Sequence, residues 1–150
     1  MLATIQRVSE ARVSIEGKIF SEIGLGLLIF VCIEKGDSIE SITSMVGKII
    51  NFKMLDGFKE SKPRSLKDAN EEALVVSQFT LYGDTKKGNR PSYIKAAKPE
   101  IAIPLYKEFI SKMEVELGKK IQTGQFGADM KVSLINDGPV TIIIDSKNKE

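Results

Sequence analysis

The first chemically suggestive cluster follows an apolar run. Residues 74–76 are Leu-Val-Val, and the next four positions carry polar or aromatic side chains, Ser77, Gln78, Phe79 and Thr80. Polar groups at the end of a buried strand often line a cleft, where the Thr80 hydroxyl would act as a nucleophile or orient a substrate. A non-catalytic interpretation stands beside this one: on a half-buried strand the polar side chains face solvent while Phe79 enters the core.

A second cluster lies between two apolar segments closer to the C-terminus. It consists of Asn136, Asp137, Gly138 and Pro139. Such residues suit a tight connection between two strands, so a simple hairpin is one interpretation. The other is functional: a cis bond between Gly138 and Pro139 would direct two carbonyl groups together, although cis occurs at only about 5–6% of X-Pro bonds. The residues alone leave both interpretations open.

The residue types that are missing limit the chemistry. The chain has no histidine and one cysteine, Cys32. Ser-His-Asp and Cys-His catalysis are therefore excluded, as is a zinc site with Cys and His ligands. No acidic cluster indicates magnesium, so we expect neither a metal nor another cofactor. The apolar neighbours of Cys32 predict a buried small side chain rather than a reactive thiol, and a lone cysteine is typical of a reducing cytoplasm.

A basic segment follows the first cluster. Residues 85–98 contain five cationic side chains and no acidic one: Lys86, Lys87, Arg90, Lys95 and Lys98. A basic loop beside a cleft would hold RNA phosphates, with Tyr93 available for stacking on a base. A solvated surface loop is the alternative. The net charge of +2 permits an RNA partner without indicating one.

These clusters need a scaffold, and the composition indicates a globular one. The 150 residues are 42% hydrophobic and 28% charged, which predicts one compact domain over residues 1–150. Residues 146–150 are expected to form a frayed polar tail. The longest apolar stretch, residues 25–33, is too short to span a bilayer, so we expect a cytoplasmic protein without a membrane partner.

Hydrophobic periodicity predicts the elements. Alternating or continuous apolar runs indicate strands over residues 2–8, 12–16, 19–23, 27–33, 73–81, 129–135 and 140–145. Apolar residues three and four apart predict two helices, one capped by Asp37 and one over residues 99–117, where Pro104 suggests an irregular start. The polar residues 56–72 predict an exposed loop. The fold class is α+β: a curved or barrel-like, mostly antiparallel sheet with two amphipathic helices packed outside.

The two clusters also carry a family resemblance. Residues 77–81 (SQFTL) look like the SQxTL signature of the D-aminoacyl-tRNA deacylase family, and residues 136–141 (NDGPVT) look like its NxGPxT signature. The likeness extends over nearly the whole chain, including residues 88–93 (GNRPSY) and 123–130 (TGQFGADM). Two signatures at this separation, in a chain of this length, make the resemblance specific.

The resemblance implies an activity and an assembly. It implies hydrolysis of the ester that joins a D-amino acid, or glycine mischarged on tRNA(Ala), to tRNA. It also implies a homodimer in which a cis Gly138–Pro139 bond enters the partner's cleft and presents carbonyl groups to the substrate's α-amino group. An L side chain would collide with this element, which Arg7 is expected to brace.

The resemblance also implies roles for the first cluster. Ser77, Gln78, Phe79 and Thr80 would line the pocket for the terminal adenosine and its ester, with main-chain amides near Phe79 holding the ester oxygens. Without histidine, the ribose 2′-OH would help to activate water, while Lys86, Lys87 and Arg90 would contact tRNA. Two other functions remain: a non-catalytic tRNA- or nucleotide-binding module of the same fold, and a threonine-dependent amidohydrolase.

Overall fold

A computed structural model of the chain describes residues 1–55 and 63–147. Within these ranges the chain forms six strands, three α-helices and one 3₁₀ helix, which covers Phe79–Tyr82. The other elements are β1 (Leu2–Ile15), β2 (Lys18–Ile23), β3 (Gly26–Cys32), α1 (Ile39–Asn51), α2 (Leu66–Ala69), β4 (Glu72–Ser77), α3 (Pro99–Leu117), β5 (Gln122–Thr123) and β6 (Lys131–Asp145).

Strand β1 organises the sheet. One edge pairs antiparallel with β6 along most of its length, and the other pairs with β3 through residues 2–8 and with β2 through residues 11–15. The sequence predicted two strands here, at residues 2–8 and 12–16, and that division is wrong. Residues 9–11 contain neither glycine nor proline, so nothing interrupts the extended backbone and β1 bends through both halves.

The parallel part of the sheet continues from β3 to β4 and β5. Strand β3 has six of its seven residues buried, as predicted for a central strand. A side chain on Gly26 would collide with the main-chain carbonyl of Glu72, so the close approach of β3 to β4 requires glycine at this position. Strand β4 ends at Ser77, four residues before the predicted end of this strand at residue 81.

Helices α1 and α3 pack together and bury their apolar faces on the sheet, as their periodicity predicted. Helix α1 starts after Ser38, whose main-chain N–H donates to Ser41 Oγ at 3.2 Å. The expected cap, Asp37, accepts instead from the main-chain N–H of Glu34 at 2.7 Å. Helix α3 begins at Pro99 and continues through Pro104, which lies near its start, where few helical hydrogen bonds are lost.

The polar segments depart in part from the prediction. Residues 66–69 of the expected loop form the short helix α2, capped by Ser65, while residues 56–62 lie outside the described residues. The predicted tail is partly fixed, because the main-chain N–H of Ser146 donates to the Met1 carbonyl at 2.9 Å. Residues 148–150 of that tail also lie outside the described part. Among the described helices, none is both long and apolar enough to cross a membrane.

The predicted α+β class is confirmed: the structure is a nearly closed mixed sheet with helices packed against it. The sequence predicted strands at residues 129–135 and 140–145, but one strand, β6, runs from Lys131 to Asp145 and joins them. Strand β6 pairs only with β1 in the described residues, so its second edge is free within one chain. Its side chains Ile135 and Ile143 are exposed.

Candidate active site

The chain changes direction after β4, and this change exposes Phe79. The main-chain N–H of Gln78 still donates to Val31 of β3, at 2.8 Å, but the next residues turn into the 3₁₀ helix. The N–H of Leu81 then donates to the carbonyl of Gln78 at 3.3 Å. Because the alternation of a strand ends here, the Phe79 side chain is 58% exposed rather than buried. The interpretation that places Phe79 in the core is wrong.

The turn also leaves two main-chain donors open. The N–H groups of Phe79 and Thr80 open the 3₁₀ helix, where a helix has no internal acceptor for its first donors. Within the described residues neither group donates to a main-chain or side-chain oxygen. Two adjacent N–H groups of this kind are the arrangement that holds a developing oxyanion during acyl transfer.

The Thr80 hydroxyl has a partner that cannot activate it. Gln78 Nε2 donates to Thr80 Oγ1 at 3.0 Å, and both side chains lie near the surface. Among the residues that the structure describes, no other side chain hydrogen-bonds this hydroxyl. An amide is not a base, so this geometry supplies no group that would remove the hydroxyl proton from a threonine nucleophile.

Two aromatic rings stand beside the open amides. The rings of Phe79 and Tyr93 are 5.1 Å apart at 80°, an edge-to-face contact that joins the 3₁₀ helix to the basic segment. Tyr93 was predicted only as part of that segment, and the structure brings it to the first cluster. Exposed aromatic faces next to hydrogen-bond donors can stack a nucleobase while the donors hold the group attached to it.

Cys32 lies beneath this segment and supports it. Its Sγ atom is 3.5 Å from the Phe79 carbonyl, and burial raises the pKa of the thiol to about 12. A thiol with this pKa stays protonated at neutral pH and is not a nucleophile. The prediction that Cys32 is a buried small side chain is confirmed.

The second cluster is not a hairpin. Val8 of β1 pairs with Asn136, and Gln6 of β1 pairs with Thr141. Between these two pairs, β6 advances by five residues while β1 advances by two. Three surplus residues, 137–139, therefore leave the sheet as an excursion from a strand that stays paired on both sides. The Gly138–Pro139 bond within it is cis, as the resemblance implied.

Asn136 closes the excursion across its base. Its Oδ1 accepts from the main-chain N–H of Val140 at 2.7 Å, while Nδ2 donates to the Val140 carbonyl at 3.1 Å and to Thr141 Oγ1 at 3.2 Å. A Cβ on Gly138 would lie 2.7 Å from Val140 Cγ2 and 2.8 Å from Val140 N. The sequence analysis missed this role of Asn136, although an amide beside a Gly-Pro pair is a signal for such local bonds.

Arg7 holds the excursion from inside the sheet. The side chain is only 8% exposed; Nε donates to the Asp137 carbonyl at 2.7 Å and Nη1 to the Met54 carbonyl at 3.1 Å. Buried guanidinium groups need such acceptors, because an unsatisfied buried charge is very unfavourable. One side chain thus connects the excursion to the segment after α1.

The structure does not bring the two clusters together within one chain. Strands β1 and β3 separate β6 from β4, which places three strand spacings, roughly 14 Å, between them across the sheet. Along the strands, Ser77 aligns with Val31 and then Ala3, whereas the excursion lies opposite Arg7. The clusters are thus separate surfaces of one subunit.

The predicted tRNA contacts lie on the loop that follows the 3₁₀ helix. Lys86, Lys87 and Arg90 are exposed at its tip. Asp84 and Ser92 close the base of the loop with two main-chain hydrogen bonds of 2.8 Å each. The segment is therefore next to the first cluster, as the sequence suggested. In the described ranges, no group of three or more Cys, Asp or Glu residues could hold a metal ion.

Comparisons with known proteins agree on one family. The family described as D-Tyr-tRNA(Tyr) deacylase matches residues 4–145. A relative named D-aminoacyl-tRNA deacylase from Flavobacterium psychrophilum is 64% identical over 150 residues and covers 100% of both chains. A relative of the same name from Porphyromonas gingivalis is 56% identical with the same coverage.

Two solved structures are also similar. The c-Myc DNA Unwinding Element Binding Protein is 36% identical with a TM-score of 0.88, over 97% of this chain and 98% of that one. A probable eukaryotic D-amino acid tRNA deacylase is 17% identical with a TM-score of 0.82, over 95% and 97% of the chains, and this likeness concerns the fold alone. Since the family match spans most of the sequence, the chain belongs to the D-Tyr-tRNA(Tyr) deacylase family.

Proposed function

We propose that this protein proofreads charged tRNA in the cytoplasm, releasing D-amino acids and glycine while leaving L-aminoacyl-tRNA intact. Its family membership makes it a hydrolase of the ester bond of D-aminoacyl-tRNA. The reaction breaks the bond between the acyl carbon and the ribose oxygen. Water supplies the hydroxyl group of the free amino acid and the proton of the freed ribose hydroxyl. Acceptance of glycine on tRNA(Ala) and rejection of L-amino acids are the finer parts of the proposal.

One observation carries the catalytic part: the open N–H groups of Phe79 and Thr80 beside an exposed aromatic ring. We assign the ring of Phe79, with Ser77 and Gln78, to the terminal adenosine. The ester carbonyl then lies against the two donors, which stabilise the negative charge that develops when water attacks. Because the binding site is formed in advance, positioning contributes much of the rate.

Activation of water falls to the substrate in this proposal. Thr80 accepts from the amide of Gln78, which is not a base, and the chain has no histidine. We assign this activation to the ribose 2′-OH next to the ester, as the family resemblance implies. Thr80 therefore orients the ester rather than attacking it.

Chiral selection is assigned to the excursion of a second subunit. Gly138 and Pro139 are exposed, and two strands separate them from the open amides of their own chain. In a homodimer the excursion enters the partner's cleft and its carbonyl groups accept from the substrate's α-ammonium group. With the ammonium fixed, an L side chain meets the main chain of the excursion, whereas a D side chain or a hydrogen points away.

The basic loop is assigned to tRNA phosphates. Lys86, Lys87 and Arg90 are exposed next to the first cluster. Neutralising them should weaken tRNA binding and make it less sensitive to salt. In a plot of the logarithm of the binding constant against the logarithm of the salt concentration, each phosphate contact that is removed should lower the slope by up to about 0.9 on duplex-like RNA. An unchanged slope would indicate that the loop is a solvated surface loop that does not contact tRNA.

Two alternatives are distinguished by product analysis. A nucleic-acid-binding module without catalysis is favoured only by the name of one similar structure, the c-Myc DNA Unwinding Element Binding Protein. Such a module would bind charged tRNA and release no amino acid. A threonine-dependent amidohydrolase would need an activated Thr80, and the contact with Gln78 argues against it.

The decisive experiment compares matched substrates. D-Tyr-tRNA, Gly-tRNA(Ala) and L-Tyr-tRNA are each incubated with the purified protein, with and without prior dialysis against a chelator. We expect the first two to be deacylated at concentrations that leave the third intact, with no effect of the chelator. Equal rates on the D and L substrates would contradict the selection mechanism, and restoration of lost activity by one divalent ion would contradict metal independence.

A further inference from the structure

The basic segment next to the first cluster is extended by Lys35, a residue that the sequence analysis did not connect with it. The segment after β3 pairs with the segment before α3: Lys35 N–H donates to the Lys95 carbonyl at 3.0 Å and Ala97 N–H donates to the Ile33 carbonyl at 2.8 Å. This pairing places Lys35 beside Lys95, although the two are far apart in the sequence. Lys98 follows on the same segment.

Two depressions lie along this pairing. The first, of about 330 Å³, starts directly after Thr80 and is lined by Leu81, Tyr82, Gly83, Asp84, Thr85, Lys86 and Lys95. The second, of about 260 Å³, is lined by Lys35, Gly36, Ala97, Lys98, Glu100 and Ile101. Lysines therefore stand in both depressions, and the paired segments lie between them. We call Lys86, Lys95, Lys35 and Lys98, in this order from Thr80, the lysine track.

The ammonium groups of the lysine track are available to a ligand. All four residues are exposed, and none forms an ion pair with a carboxylate in the described part of the chain. A row of exposed, unneutralised cations raises the local potential and attracts a polyanion. The row begins where the proposed adenosine site ends.

The carboxylates near the track are mostly engaged elsewhere. Glu34 lies 3.1 Å from Lys147 Nζ and accepts from the Tyr82 hydroxyl at 3.2 Å, and Asp37 lies 2.8 Å from the Met1 amine. Asp84 accepts from the main-chain N–H of Lys86 at 2.9 Å. Glu100, which is exposed, is the carboxylate that lines the second depression. The track thus keeps a positive excess.

We propose that the lysine track binds the phosphates of the nucleotides that precede the terminal adenosine of tRNA. This inference rests on the proposed function, which places that adenosine at Phe79. The acceptor end then leaves the site past Lys86 and Lys95 and over the segment that carries Lys35 and Lys98. A nucleic acid fits better than an acidic peptide, because the track starts beside the aromatic pair Phe79–Tyr93, and exposed aromatic rings can stack bases.

The test uses a triple variant, Lys35→Gln with Lys95→Gln and Lys98→Gln. The matched control removes three exposed lysines elsewhere, Lys48→Gln with Lys107→Gln and Lys120→Gln, and so changes the net charge equally. Two substrates are compared: D-Tyr-tRNA and the 3′-D-tyrosyl ester of adenosine, which has no phosphate. Binding of uncharged tRNA is measured in parallel over a range of salt concentrations.

On D-Tyr-tRNA we expect the track variant to show a several-fold higher KM with an unchanged kcat. Hydrolysis of the adenosine ester should be that of the unaltered protein. The log–log salt slope for tRNA binding should fall by about 2, since each single-stranded phosphate contact contributes about 0.7. The control variant should show none of these changes.

Three results would overturn the inference: an unchanged KM and salt slope, an equal effect of the control variant, or equally reduced hydrolysis of the adenosine ester. Competition by polyglutamate as strong as that by an oligoribonucleotide of equal charge would also count against it, because the surface would then recognise charge alone. If the unaltered protein hydrolyses neither substrate, the proposed function fails. In that case the binding measurement with uncharged tRNA still tests whether the lysine track contacts tRNA phosphates.

Discussion

The segment of residues 77–82 and the excursion of residues 137–139 present opposite groups and are built in opposite ways. The first offers main-chain N–H groups, fixed by the neighbouring parallel strands of the sheet. The second leaves a strand at the free side of the sheet and is fixed by two side chains, Arg7 and Asn136. A site made of main-chain donors tolerates changes in its side chains, whereas an excursion held by side chains does not.

The largest expected effect is that of Gly138→Ala. The added methyl group would lie 2.8 Å from Val140 N and 3.2 Å from Arg7 Nη2, so the excursion must shift. A displacement of about 1 Å in a positioning element can cost roughly a hundredfold, and we expect a loss of that order in kcat/KM for D-Tyr-tRNA. In the control, Gly47→Ala, the new methyl group meets nothing within 4 Å, and activity should be unchanged. Full activity of the Gly138 variant would show that the position of the excursion does not matter for deacylation.

A smaller loss of kcat/KM is expected for Arg7→Lys. One ammonium group cannot reach both the Asp137 and the Met54 carbonyl as the guanidinium does. We expect about a tenfold lower kcat/KM and a free energy of unfolding lower by about 1–3 kcal/mol, since a buried carbonyl loses its donor. Denaturant unfolding and deacylation assays measure the two effects. A variant that loses stability but keeps its full preference for D over L substrates would show that Arg7 supports only the fold.

Thr80→Ala should change little, because the site is made of main-chain donors. Loss of a true nucleophile costs on the order of 10⁶-fold in kcat. We expect less than about tenfold, since the variant loses the hydrogen bond from Gln78 and one orienting hydroxyl but keeps both main-chain donors. A collapse of kcat with unchanged tRNA binding would instead identify Thr80 as the nucleophile.

The smallest effect is expected for alkylation of Cys32. Burial raises the pKa of its thiol to about 12, so at pH 8 roughly one thiol in 10⁴ is ionised. Iodoacetamide at pH 8 should therefore leave both the thiol and the activity intact. As the pH is raised toward the pKa, the rate of labelling, measured by mass spectrometry, should increase about tenfold per pH unit. Rapid labelling at pH 7 would mean that the segment above Cys32 opens.

Periodicity alone predicted the regular elements well. The apolar faces of α1 and α3 follow from residues three and four apart, and the buried strand β3 follows from a continuous apolar run. The division of β1 and β6 into shorter strands failed for different reasons. In β1 the polar residue Glu10 stays paired with β6, whereas in β6 residues 137–139 leave the ladder and the pairing with β1 resumes at Thr141. Single-sequence patterns show neither outcome, because they do not show which partner pairs with a residue.

The sequence singled out both candidate clusters but not their geometry. Signature residues located both clusters, but the open amides depend on the point where β4 leaves the sheet, after Ser77. The meeting of Phe79 with Tyr93, and of Lys35 with Lys95, depends on pairing between distant segments. Such contacts are tertiary, and no local propensity encodes them.

The excursion also interrupts the edge of β6 that is unpaired within the described part of the chain. The free side of β6 would otherwise offer fifteen successive residues, with Ile135 and Ile143 exposed, to any extended chain. Long, regular and apolar edge strands of this kind can pair with strands of other chains and so promote aggregation. Because residues 137–139 leave the ladder, an incoming strand meets only two short templates, residues 131–136 and 141–145, that are out of register with each other. We therefore expect the three residues to which we assign the carbonyl groups also to limit edge-to-edge aggregation of the chain as it folds.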